Sequence, residues 1–574
     1  MKNISLLLVF IFLLSCRGSN SQKESQAGKT QVSLCYSPAT NDKAWYSSDR
    51  KAPILKGLKG IDFKISTTNK EVQHYFNQGM MLAYGFNHAE AARSFHEAIR
   101  LDSACAMAYW GFAYVLGPNY NGGMEKDNFQ RAYDAALKAQ RLSYNCTPKE
   151  KALITALATR YAAQPPTDRK PLDIAYSKAM KKVYSQYSSD PDVGALFAES
   201  LMNLHPWDLY QKKTRAPQPW TAELVAVLEH LIKINPHHPG AHHFYIHAIE
   251  ASTTPEKALA SARLLDTLVP GAGHLVHMPS HIYIRTGDYH LGSLSNTNAV
   301  KTDSIYSTAC HAQGVYPLAY YPHNYHFLAA TATLEGNSSL AWQAALQVQK
   351  HTAKEIMRQP EWGTLQHYYT IPYYVAVKLG MWDTVLTLPP PPQDLVYPQA
   401  IWHYARGMAY LGKQDISNAK KEMKALSTLS VDTTLQGLTV WDINSMADLV
   451  KIALNVVHAG VAVKQKQTDQ AINSLKKAII LEDNLNYNEP PDWFFSVRHY
   501  LGAVLLNTGK YSEAEKIYIQ DLQTWKNNGW ALKGLYQSLL KQNKNNEAEK
   551  IKKAFDSAWQ YADFTLTSSS EIMK

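Results

Sequence analysis

Residues 71–117, EVQHYFNQGMMLAYGFNHAEAARSFHEAIRLDSACAMAYWGFAYVLG, decide the fold because they repeat one helical pattern. Gly79 lies in the interior of the first helix, Phe95 lies in the second, and Gly111 lies near the start of the third. A glycine inside a helix costs roughly 1 kcal/mol relative to alanine, so it needs a structural reason. Close approach of the neighbouring helix supplies that reason. The stretch therefore predicts closely packed helical hairpins.

This pattern resembles the tetratricopeptide repeat (TPR). The matching residues at the N-terminal end are Gly79, Ala91, Phe95, Ala98 and Trp110-Gly111-Phe112. Those at the C-terminal end are Gly502, Gly509, Tyr511, Ala514, Tyr518, Trp530, Gly534 and Ala548. The resemblance continues in weaker form over residues 71–556. It implies an all-α, TPR-like helical-hairpin solenoid with a concave central groove or cavity.

Three further segments together resemble a lipoprotein-type subfamily of large bacterial TPR proteins. They are HHPGAHHFYIHAIEAS (237–252), PGAGHLVHMPSHIYIRTGDY (270–289) and EPPDWFFSVRHYLGAVLL (489–506). This second resemblance implies architecture and no particular reaction. The expected organisation is a lipoprotein signal peptide over 1–15, a tether and lead-in over 16–70, an N-terminal TPR-like region over 71–235, His-rich TPR-like repeats over 236–350, and C-terminal TPR-like repeats over 351–565.

The N-terminal segment has the features of a targeting signal. Lys2 is followed by the apolar run Ile4 to Leu14, which is too short for a good transmembrane helix, and then by Ser15-Cys16. This resembles a bacterial lipoprotein signal, which implies cleavage before Cys16 and lipidation of its thiol, including palmitate. An ordinary secretory signal is the alternative. We expect a protein of the bacterial cell envelope, lipid-anchored and periplasm-facing, with no other contact with the membrane.

The charge of the chain is basic and dispersed. With 58 Lys and Arg against 48 Asp and Glu, the formal net charge is +10. No concentrated basic face or nucleic-acid motif accompanies this charge, so the sequence predicts a solvated basic surface and no nucleic-acid partner. Besides Cys16 there are four cysteines and no C-x-x-C, which leaves disulfides and free thiols both open.

The histidines repeat with the period of the helical hairpins. His243 and His247 recur 34 residues later as His277 and His281. Similarly, His274-x-x-His277 recurs as His323-x-x-His326 across an insertion at 303–320. Residues three or four apart share one helix face, and equivalent positions in neighbouring repeats stack. The pattern predicts that three neighbouring helices direct imidazoles at one cavity.

This arrangement makes a metal site the principal chemical hypothesis. Imidazole binds Zn, Cu, Fe and Ni, and histidines with few carboxylates favour Cu or Zn, with Fe as a further candidate. Three or four histidines and a carboxylate would leave one coordination position open. The candidate ligands are His243, His247, Glu250, His274, His277, His281, His323 and His326. Candidate residues for binding a substrate or an anionic group are Tyr245, Tyr283, Arg285 and Tyr321.

Two functions of different classes follow from these observations. The first is an envelope-anchored TPR lipoprotein that binds a peptide, protein or small molecule in its groove, with a His-ligated transition metal or without one. The second is a metal-dependent enzyme, an oxidoreductase or a hydrolase, with the histidines at its centre. No catalytic residue is assigned. Histidines that only form hydrogen bonds within a packed superhelix are the simpler alternative to both.

Overall fold

The protein is described by a computed structural model at residues 45–310 and 316–573, and these residues are mostly helical. The helices are α1 Lys70–Tyr84, α2 His88–Leu101, α3 Ala106–Leu116, α4 Asn128–Leu142, α5 Pro148–Ala158, α6 Lys170–Gln186, α7 Pro191–Met202, α8 Thr221–Ile234, α9 Pro239–Ile249, α10 Leu259–Leu268, α11 Gly273–His277, α12 Pro279–Thr286, α13 Tyr289–Cys310, α14 Tyr321–Glu335, α15 Ser338–His351, α16 Thr364–Lys378, α17 Trp382–Thr387, α18 Val396–Gly412, α19 Ile416–Leu429, α20 Met446–Lys464, α21 Thr468–Asp483, α22 Arg498–Asn507, α23 Tyr511–Thr524, α24 Gly529–Lys541 and α25 Asn545–Ala558. Strands β1 Thr439–Val440 and β2 Asn444–Ser445 form a small antiparallel hairpin.

The glycines explain how closely the hairpins pack. A methyl group on Gly79 would lie 2.6 Å from the Phe95 ring, and one on Gly111 would lie 2.4 Å from it. Gly502 and Gly534 enclose Tyr518 in the same way, at 2.3 and 2.1 Å. In each case one aromatic ring is held between glycines of two first helices. The sequence prediction of close hairpin packing is confirmed at both ends of the array.

The solenoid curls until distant repeats meet. The hydroxyl group of Tyr289 donates to the carbonyl of Lys526 at 2.8 Å, although 237 residues separate them. The indole of Trp530 donates to the carbonyl of Thr333 at 3.2 Å. On the other side, His243 reaches the carbonyl of Tyr84 at 2.6 Å, across 159 residues. The central repeats therefore contact both ends of the array.

Two of the chain's own segments cover the first helices of the repeats, so the predicted open groove is not confirmed. Residues 486–497 approach the histidines. The extended segment 566–573 contacts α22 and α24, where Gln537 donates to the carbonyl of Thr567 and Asn507 to that of Met573, each at 2.8 Å. Ser569 also donates to the carbonyl of His499 at 2.8 Å.

Helix α20 is the one described helix that is long and apolar enough to cross a membrane. It has 19 residues and a mean hydropathy of 1.5. Leu449, Val450 and Val457 are fully buried against neighbouring repeat helices, which explains this composition as that of a core helix.

Four local features refine the sequence-based expectations. The part of the lead-in from residue 45 packs on the repeats, and Phe63 is buried in their core. The helix carrying the central histidines is interrupted at Met278, because Pro279 begins a new helix there. The described part of the expected insertion at 303–320 is helical: α13 continues to Cys310, and a π-helical turn occupies Tyr316–Tyr320. Cys105 and Cys146 are free thiols.

Candidate metal centre

The histidines occupy the first helices of three successive hairpins. Helix α9 carries His243 and His247, and the interrupted pair α11–α12 carries His274, His277 and His281. Helix α14 carries His323. The structure arranges these six imidazoles as two separate groups of three, each with its ligand nitrogens within 4.8 Å of one another.

The first triad consists of His243, His247 and His274. The Nδ1–H of His243 donates to the carbonyl of Tyr84 at 2.6 Å, and that of His247 donates to Oε1 of Glu250 at 2.8 Å. Both acceptors place the proton on Nδ1 and leave a lone pair on Nε2. Neither Nε2 has a partner, and neither ring nitrogen of His274 has one. Metal-binding histidines typically have this arrangement, with one nitrogen held and the other directed at the ion.

The second triad consists of His277, His281 and His323. The Nδ1–H of His277 donates to Oδ1 of Asn296 at 2.7 Å, and that of His281 to Oε2 of Glu250 at 2.5 Å. The two Nε2 atoms of His277 and His281 then face each other at 2.9 Å. Two lone pairs at this distance repel each other unless a proton or a cation lies between them.

Glu250 connects the two triads by accepting hydrogen bonds from the Nδ1 atoms of one histidine in each. Its two oxygens accept from His247 and from His281, so the carboxylate supports one histidine of each group. This differs from its expected role as a direct ligand. Glu489 also approaches Nδ1 of His281, at 3.3 Å, and Tyr487 donates to Glu489. Glu250, Glu489 and His281 thus form a third cluster of potential ligand atoms.

Burial and charge set the protonation of the site. Burial lowers the pKa of His243, His274, His277 and His323 well below the usual range, so these imidazoles are neutral at pH 7. Although burial opposes both shifts, the contact between His281 and Glu250 raises the pKa of His281 to about 9 and lowers that of Glu250 to about 2. At pH 7 His281 is therefore the charged member of the second triad, and its Nε2–H group donates to Nε2 of His277 at 2.9 Å. Neutral imidazole is the form that ligates metal, so a metal ion in the second triad must displace that proton.

Aromatic side chains enclose the triads. The Phe86 ring lies 4.6 Å from that of His243, and the Tyr120 ring lies 5.2 Å from that of His247. Phe86 adopts a φ of 54°, a left-handed conformation that is strained for a bulky residue. The Phe327 ring lies 4.6 Å from that of His281. Aromatic rings therefore surround both triads, and we call this largely apolar surrounding the chamber.

Several predicted residues lie elsewhere. His326, about one turn along α14 from His323, stacks on Phe494 at 5.1 Å and faces His367 of the next hairpin instead of the triads. The hydroxyls of Tyr245 and Tyr283 donate outward to Glu229 and Asp266. Tyr321 packs on His351. Arg285 donates to the carbonyl of Ser252 and lies over the Tyr487 ring. These three tyrosines are thus set apart from the site. Cys16 lies outside the described residues.

Sequence reasoning did not identify the residues that hold the histidines in place. Asn296, which accepts from His277, lies on α13, the second helix of the hairpin that carries His277. The carbonyl of Tyr84 and the side chain of Glu489 arrive from the two ends of the array. The only sequence signal for Glu489 is its place in the segment EPPDWFFSVRHY, which is part of one of the three segments that carry the second resemblance.

No protein-family model and no curated protein matches the sequence. Solved structures of similar architecture are helical-repeat proteins. The human IFIT1 dimer with m7Gppp-AAAA shares 14% identity at a TM-score of 0.30, over 86% of this chain and 91% of that one. The Cut9–Hcn1 hetero-tetramer of the APC/C shares 13% identity at a TM-score of 0.28, over 88% of this chain and 75% of that one. Yeast Tom70 shares 11% identity at a TM-score of 0.27, over 79% of this chain and 90% of that one. The chain is a TPR-like helical solenoid. At these identities the likeness concerns the fold alone.

The comparison corrects one prediction. The absence of a nucleic-acid motif and of a concentrated basic face led us to exclude a nucleic-acid partner. IFIT1 holds the capped RNA m7Gppp-AAAA on a TPR-like fold. That exclusion is contradicted, because a solved structure of similar architecture contains m7Gppp-AAAA.

Proposed function

We propose that this TPR-like solenoid is a metal-dependent protein whose two histidine triads each bind one transition-metal ion. The observation that carries the proposal is the first triad, in which buried Nε2 atoms without partners converge while carbonyl and carboxylate groups hold Nδ1 of His243 and His247. Leaving such nitrogens buried and unpaired would cost about 1–3 kcal/mol each. Coordination removes that cost.

The chemistry of the donors favours copper or zinc, since each triad offers three imidazoles and no thiolate. A three-histidine site leaves a position open for water or another small ligand. This largely apolar chamber suits an oxidoreductase acting on a small molecule better than a hydrolase acting on a polymer. A partner-binding scaffold without metal is the competing function, and it is supported by the repeat fold alone.

Elemental analysis of the purified full chain after metal loading tests the proposal. We expect two ions per chain, and a His247→Ala, His281→Ala double variant should lose both because it removes one ligand from each triad. The matched control is His403→Ala, since His403 pairs with Glu422 at 2.6 Å, outside the triads. Chelator-treated wild-type chain that fails to take up Cu²⁺ or Zn²⁺ would leave the scaffold as the function.

The location of the protein is a second part of the proposal. A lipid-anchored, periplasm-facing protein is supported by the sequence LLSC at residues 13–16. In a bacterial host, mass spectrometry should find a diacyl- or triacylated Cys16 at the mature N-terminus, and Cys16→Ser should release the protein from the membrane fraction. An unmodified Cys16 within an uncleaved chain would contradict the anchor.

A further inference from the structure

The two triads share one helix and one carboxylate. His274 belongs to the first triad and His277 to the second, and they lie three residues apart on α11. Three residues of helix rise about 4.5 Å, so the two sites are separated by roughly one helical turn. Their ring centroids are 5.7 Å apart. The centroids of His247 and His281, which both donate to Glu250, are also 5.7 Å apart.

His274 occupies the boundary between the triads. Its ring lies 5.0 Å from that of His243 on one side and 5.7 Å from that of His277 on the other. Both of its ring nitrogens are buried without a partner. A neutral imidazole needs an acceptor for its N–H group as well as a use for its lone pair. A ligand placed between the triads would supply that acceptor.

The walls of the chamber limit what can lie there. The Phe86 and Tyr320 rings lie 5.8 and 4.8 Å from that of His274, and the Phe327 ring lies 4.8 Å from that of His277. Five of the six triad histidines are buried, and the sixth, His323, is partly accessible to solvent. Because these rings lie at ordinary aromatic contact distances, a ligand beside His274 is limited to a few atoms, such as hydroxide, dioxygen or azide, and a peptide or sugar is excluded.

We propose that the two triads hold their metal ions as a coupled pair, and that a ligand of one to three atoms bridges them beside His274. This rests on the proposed function, because it requires both triads to bind metal. Two metal ions held a few ångströms apart can act on one small ligand together. The shared carboxylate of Glu250 orients one histidine of each triad and so fixes the two sites relative to each other.

Electron paramagnetic resonance on the full chain loaded with Cu²⁺ tests the pairing. At two coppers per chain we expect fewer unpaired spins than copper ions, or a half-field transition, since close Cu²⁺ ions couple magnetically. His243→Ala and His323→Ala each remove one ligand from a different triad. Each should leave one copper per chain with one full spin per copper. The control His403→Ala should behave as the wild type.

The outcomes separate this inference from the proposed function. Two coppers with two full spins and no half-field signal would overturn the pair and leave two independent sites. One copper per chain would also overturn it. A chain that takes up neither Cu²⁺ nor Zn²⁺ would overturn both proposals. If a variant fails to fold, azide titration of the wild-type copper protein decides: one azide per two coppers supports a bridge, and one azide per copper contradicts it.

Discussion

Replacing Glu250 with glutamine is expected to weaken metal binding at both triads, each by about 10- to 100-fold. The carboxylate accepts from Nδ1 of His247 at 2.8 Å and from Nδ1 of His281 at 2.5 Å. A carboxamide has one accepting oxygen, and its NH₂ group would face the second N–H group. One histidine must then move its proton to Nε2, which occupies the lone pair that the metal needs. The other histidine keeps an acceptor, but the uncharged amide oxygen holds it less strongly than the carboxylate did.

The matched control for this effect is Asn296→Ala. Asn296 accepts only from His277, at 2.7 Å, so its loss should weaken the second triad and leave the first unchanged. Competition with a chelator of known affinity measures both sites in each variant. Equal affinities in Glu250→Gln and wild type would show that the carboxylate does not support the ligands. A loss confined to one triad would contradict the bridging role.

The sequence predicted which histidines share a helix face, because the spacing of residues along a helix determines the face on which each one lies. The spacing of His243 and His247 and its recurrence at His277 and His281 placed four imidazoles on stacked helix faces. The glycine and aromatic positions around Phe95 and Tyr518 predicted how closely the hairpins pack. These features depend on interactions within one repeat or between neighbours.

The division into two triads could not be predicted in this way. It depends on which nitrogen of each ring is held, and the holding groups include the carbonyl of Tyr84 and the side chain of Glu489. Both come from repeats far away in the sequence, and they arrive only because small rotations between repeats accumulate into a closed curl. The outward direction of Tyr245 and Tyr283 has a local cause, since the second helix of the preceding hairpin supplies their acceptors, Glu229 and Asp266.

Replacing Glu199 with leucine is expected to destabilise the N-terminal repeats by about 3–5 kcal/mol, because it leaves a buried arginine without its counter-charge. Arg160 is fully buried and Glu199 is 1% exposed, with their charged groups 3.6 Å apart. Burial raises the pKa of Glu199 even though Arg160 opposes the shift. The cost of desolvation is therefore large, and removing one partner leaves that cost uncompensated.

This ion pair also supports one side of the proposed metal site. Arg160 donates to the carbonyl of Pro118 at 2.8 Å, and Asn203, which donates to Glu199, reaches the same carbonyl at 3.4 Å. Two residues further along the chain, Tyr120 places its ring 5.2 Å from that of His247. Loss of Glu199 should thus increase hydrogen exchange at residues 118–124 as well as lower the urea midpoint.

Two further variants distinguish a buried unpaired charge from simple loss of packing. Arg160→Met combined with Glu199→Leu should recover most of the lost stability, since replacing a whole buried pair with apolar residues is often neutral or stabilising. Glu223→Ala breaks an exposed pair with Lys181 and should change the unfolding free energy by less than about 1 kcal/mol. A double variant as unstable as Glu199→Leu alone would mean that the shape of the glutamate, rather than its charge, holds the Pro118 segment in place.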